Sequence, residues 1–103
     1  MLVNKPYEKN EVITFKMANG DEIIAAIVSE NDTAFVVKNP VVVLNTEKGV
    51  GLLGALFTGN MKDHNVPISK SHIMMHVPTT DIASDHYTHT VTGIKPVRAN
   101  IIV

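Results

Sequence analysis

The chain has 103 residues, 45 % of them apolar, with no Cys and no Trp, so it makes one domain with a modest aliphatic core and excludes disulfide frameworks, zinc–thiolate sites and thiol nucleophiles. Its formal net charge is −1, and eight Lys and one Arg are spread along it, which is not the footprint of a protein that binds nucleic acid by neutralising phosphates. Charged residues make up 18 %, against about a quarter in ordinary soluble domains, which implies that part of the surface is hidden against copies of itself.

Residues 11–17 predict a half-buried strand: Ile13, Phe15 and Met17 share one face, Thr14 and Lys16 the other. Asn19-Gly20 follows, and both residues tolerate positive φ, so a tight hairpin is expected. The return strand over 22–29 is apolar on both faces, Ile23, Ala25 and Ile27 against Ile24, Ala26 and Val28. Both faces then need covering, either by a neighbouring subunit or by strong bending of the strand inside one barrel. A polar turn at 29–32 leads to a third strand through Phe35, Val36 and Val37. Pro40 interrupts its ladder before Val41 to Leu44 and predicts an edge, a bulge or a bend.

Residues 45–65 hold Gly49, Gly51, Gly54 and Gly59 among Val50, Leu52, Leu53, Leu56 and Phe57. They read as a long, partly apolar loop with a helical turn near 52–57. Residues 66–77 form a fourth strand through Ile68, Ile73 and Met75, ended by Pro78. Thr80 or Asp81 caps a short helix over 79–91, carrying Ile82, Ala83, His86 and Tyr87 at helical spacing, and Gly93 stops it. Residues 94–103 end in Ile101-Ile102-Val103 and predict a last strand.

This order resembles the Sm-like (LSm, Hfq-related) family, whose first motif is matched by Met17-Ala18-Asn19-Gly20, by Glu22 through Ile27, and by Asn31-Asp32 followed by Phe35-Val36-Val37. Within that family it more closely resembles the Sm-like proteins of tailed phages, especially those of cyanobacteria. The matching residues are Gly20-Asp21-Glu22-Ile23-Ile24-Ala25, Lys38-Asn39-Pro40, the Gly-rich stretch 49–59, the Ile68 to Ile73 strand and the helix with Tyr87. The resemblance implies a single domain over 1–103, mostly β: a small, strongly bent five-stranded barrel with a short helix before the last strand. It also implies subunits that close into a homo-oligomeric ring by pairing edge strands, which removes exposed edges. Single-stranded RNA is the ligand it implies, with Asn31, Asp32, Phe35 and His76 as candidate base contacts. The departures are specific. Ala34 or Phe35 stands where the family places a base-holding Asn, His76-Val77-Pro78 stands in place of Ile-Arg-Gly, and Pro6 interrupts the region of the family's N-terminal helix.

A second reading makes the chain an oligomeric assembly or adaptor protein that docks a phage or host protein through Leu52, Leu53, Leu56 and Phe57. No enzyme is expected. Gly49-Val50-Gly51-Leu52-Leu53-Gly54 has the G-x-G-x-x-G spacing, but lacks the helix and βαβ setting that a dinucleotide site requires. His72 and His76 on one strand would stand ~13 Å apart, too far to share an ion. His86 and His89 share a helix face with no evident third ligand, so no metal or cofactor is expected. Asp81 and Asp85 favour a helix N-terminus more than acid–base work. No apolar run approaches the ~18 residues of a membrane span. The first ten residues, with Lys5, Pro6, Glu8 and Lys9, are no signal peptide, so the cytoplasm is expected, that of the host cell for a phage protein.

Overall fold

A computed structural model describes residues 6–92; the strand expected over 94–103 lies outside them. The described part is mostly β: one antiparallel sheet of six strands and one short helix near its C-terminal end. β1 (Val12–Met17) and β2 (Glu22–Glu30) form the hairpin that Asn19-Gly20 predicts. Gly20 stands at φ 99°, a backbone that side chains disfavour, and the Asp21 amide donates to Asn19 Oδ1 at 2.9 Å to tighten the turn. A Cβ at Gly20 would meet open space, so Gly20→Ala isolates backbone strain. It should lower stability by about 1–2 kcal/mol, read as a shift in urea midpoint with unchanged slope.

β3 (Ala34–Thr46) is one strand of 13 residues that runs through Pro40. The bulge that Pro40 predicts is present: Asn39 and Pro40 together face Ala25, between the pairs Ile24↔Val41 and Ala26↔Lys38, and Asn39 adopts φ 53°. The bulge divides β3. On the side away from β2, its first half pairs with β5 (Val66–Ser69) and its second half with β4 (Gly49–Gly54).

β4 corrects the loop expectation over 45–65. Its glycines are interspersed with Val50, Leu52 and Leu53, and Gly49 at φ 117° provides the turn that returns the chain along β3. The irregular segment shrinks to 55–65, and the expected helical turn near 52–57 is absent. The fourth strand is also divided. Lys70–His72 form a 3-10 turn in which Ser69 Oγ accepts from the Ser71 amide, and β6 (Ile73–Pro78) then changes partner to β1. The path of the sheet is β4-β3-β2-β1-β6, with β5 on β3.

Two apolar clusters hold the sheet. Ile13, Phe15, Ala25, Ile27, Phe35, Val37 and Ile68 fill one face. On the other, Ile24 and Val41 are covered by Tyr87 of α1 (Asp81–Thr92). The second covering of β2 therefore comes from the chain's own helix. Thr80 Oγ1 caps α1 by accepting from the Ala83 amide at 3.3 Å. The packed stripe is Ala83, Tyr87 and Val91, one residue every fourth position, which leaves Ile82 85 % exposed.

Candidate functional site

Two turns meet at one end of the sheet. In the first, between β2 and β3, Asn31 Oδ1 accepts from the amides of Thr33 and Ala34, both at 2.9 Å. This oxygen builds the turn, so what Asn31 offers outward is its amide nitrogen. Asp32 is exposed beside it. The second is the 3-10 turn, whose Lys70 amide donates to the Thr33 carbonyl at 2.8 Å. Lys70 Nζ lies 2.6 Å from Glu30 Oε2 and 5.1 Å from the centroid of the Phe35 ring.

Phe35 is 3 % exposed, with its ring against Phe15, Tyr7 and His76. Its face is not free to stack on a base. His76 is exposed on β6, and its Nδ1 shares a hydrogen bond of 2.7 Å with the Tyr7 hydroxyl. Burial, then the nearby carboxylates of Glu11 and Glu30, push the Tyr7 phenol above its usual range. A cleft of about 450 Å³ opens here, lined by Phe35, Lys70, Ile73, Met74, Met75 and His76. The structure thus groups Phe35 with His76, and joins the Asn31-Asp32 turn to them through Lys70.

Three members of this site were not singled out by sequence reasoning: Tyr7, Glu30 and Lys70. Tyr7 precedes the first strand, where no periodicity speaks for it. Lys70 reads as a strand residue until Ser69 and Ser71 are seen to close a turn around it, since their hydroxyls bond each other at 2.8 Å.

The apolar candidates divide. Leu52 and Leu53 are half-buried on β4, Leu52 against the Tyr87 cluster, whereas Leu56 and Phe57 project beyond the strand at 51 % and 86 % exposure. Of the candidate histidines, His72 lies in the 3-10 turn, His76 on β6, and His86 and His89 on α1. Among the described residues no three His, Asp or Glu gather as metal ligands, and no helix is long and apolar enough to cross a membrane.

The open ends of the sheet are its other distinctive surface. Among the described residues β4 pairs with β3 alone and β6 with β1 alone. Both carry exposed apolar side chains, Val50 on β4 and Met74, Met75 and Val77 on β6. No family model matches the chain, and no curated protein matches it.

Proposed function

We propose that the chain is an Sm-like, phage-type binding module whose protomers close into a homo-oligomeric ring, β4 of one pairing with β6 of the next. The observation that carries this reading is the pair of unlike open edges with apolar side chains on both. Exposed apolar edges invite pairing, and a heterologous contact between β4 and β6 that repeats around an axis consumes every β4 and β6 edge. Within a protomer the strands are read as a bent barrel. The turn at Lys70 carries the chain from β5, beside β3, to β6, beside β1, which supports closure of the sheet around the Phe15 cluster.

The ligand in this reading is single-stranded RNA, held where the Asn31-Asp32 turn meets Lys70 and His76. Phe35 supports the floor of that surface and stacks no base, since it is buried. The test is an anisotropy titration of the assembled protein with short U-rich and A-rich oligomers at low salt. Saturable binding that weakens at least several-fold in Lys70→Gln is expected; absence of saturation for every oligomer would sink the RNA assignment and leave the ring standing.

A second reading, an adaptor that docks a protein, is favoured by the exposure of Leu56 and Phe57 beyond β4. If it holds, the double variant Leu56→Ser/Phe57→Ser keeps its solution mass and loses a partner that the unaltered protein retains from host or phage lysate. Equal retention by both proteins removes this reading.

A further inference from the structure

We propose that the Glu30–Lys70 pair reads a base edge, and that it selects guanine. This rests on the RNA reading above. The pair joins the two turns of the candidate site, with Lys70 Nζ 2.6 Å from Glu30 Oε2 and both side chains about a third exposed, at 31 % and 37 %. Its charges cancel. A phosphate arriving at Lys70 must displace Glu30 and leave that carboxylate facing the new negative charge. With a formal net charge of −1, the chain as a whole has no excess of positive charge to offset that repulsion. A phosphate is therefore a poor ligand for this position.

A base edge is a better one, because it can satisfy both members together. The pair presents an ammonium donor beside a carboxylate with two acceptor oxygens. Guanine carries the complement on its Watson–Crick edge: the O6 acceptor, then the N1–H and N2–H donors. Lys70 donates to O6 while the Glu30 carboxylate accepts from N1 and N2, and neither charge is left alone. Uracil offers one donor, N3–H, between two acceptors, and its second carbonyl faces the carboxylate. Adenine and cytosine have an acceptor ring nitrogen where the carboxylate needs a donor. Single strands are read through such edges when their bases are splayed out. The position of Lys70 is supported independently by the Phe35 ring below it, 5.1 Å to the centroid.

The test compares a uridine octamer with the same octamer carrying guanosine at alternate positions, titrated into the assembled protein, Glu30→Gln and Lys70→Gln. The unaltered protein should bind the guanosine-bearing octamer about tenfold more tightly, the discrimination of one good bidentate contact. Glu30→Gln should abolish that preference without lowering the melting temperature by more than an exposed pair contributes. Two results overturn the proposal: a preference that survives Glu30→Gln, or an equal gain for both octamers in that variant, which would make Glu30 a shield of Lys70 and not a reader. Failure of every protein to bind either octamer removes the RNA reading itself, and the base reader with it.

Discussion

Replacing Tyr87 by Ala should destabilise the protein by about 3–5 kcal/mol, the usual cost of removing a buried aromatic side chain. Against the roughly 5–15 kcal/mol that holds a typical domain folded, that is a large share of the total. The reason lies in β3. At the bulge the strand passes from β5 to β4, and the carbonyls of Lys38 and Asn39 fall between the two ladders. The Tyr87 hydroxyl stands 3.1 Å and 3.0 Å from them and donates its one proton across both. Tyr87 thus covers Ile24 and Val41 and also donates to two carbonyls at the bulge, where neither β4 nor β5 pairs with β3. Tyr87→Phe separates these roles. It keeps the packing, removes the hydroxyl donor from both carbonyls, and should cost about 1–3 kcal/mol by urea denaturation.

The same residue sets an alkaline limit. Burial pushes the Tyr87 phenol up to about 12, against 10.0 for an unperturbed tyrosine. The unfolded chain therefore loses this proton first as pH rises. The stability that Tyr87 contributes is whole below pH ~10 and declines between ~10 and ~12, by on the order of 2–3 kcal/mol. Lysines titrate in the same range, so the informative quantity is the difference from Tyr87→Phe. The unaltered protein should lose its advantage over that variant across this window, and parallel pH profiles would refute the assignment.

Charging the β6 edge should convert the assembly to single protomers. The unaltered protein is expected to scatter light as a species several times 11.2 kDa, and Met75→Lys/Val77→Lys as one of 11.2 kDa. Both positions are more than half exposed, at 62 % and 58 %, so the changes do not enter the core. Lysine on an open edge opposes pairing by charge and by the cost of desolvating its ammonium group. Val50→Lys on β4 should have the same effect from the other side of the contact. An unaltered protein that elutes as a monomer would end the ring proposal, as would variants that keep the full mass.

The local features of the fold were legible where a short stretch of chain decides them. The Asn19-Gly20 hairpin, the alternation of Ile13 and Phe15, the bulge at Pro40 and the Thr80 cap depend on neighbours within a few residues. β4 was not legible, because a strand of glycines and leucines resembles a loop until residues 41–46 are placed beside it. The break at Lys70 was hidden by Ile68 and Ile73, which read as one continuous strand. The helix was legible in extent but not in orientation. Ile82 is the larger apolar residue, yet the inward stripe runs through Ala83, Tyr87 and Val91 and leaves Ile82 exposed. For the candidate site, Asn31, Asp32, Phe35 and His76 could be named from the sequence. The Glu30–Lys70 pair could not, since 40 residues separate its members.

The two open edges give each protomer a direction. Joining two copies by unlike edges buries one β4 and one β6 and leaves one of each exposed, so a pair is as adhesive as a single copy. Growth under that rule has no resting point at small numbers: it ends when the last edge meets the first, or it continues as a filament. If the proposed β4–β6 contact holds, a subunit disabled at β6 alone still offers β4, and so joins a growing chain and terminates it. Small amounts of such a subunit, made alongside the unaltered protein in one cell, would act as a poison out of proportion to their concentration.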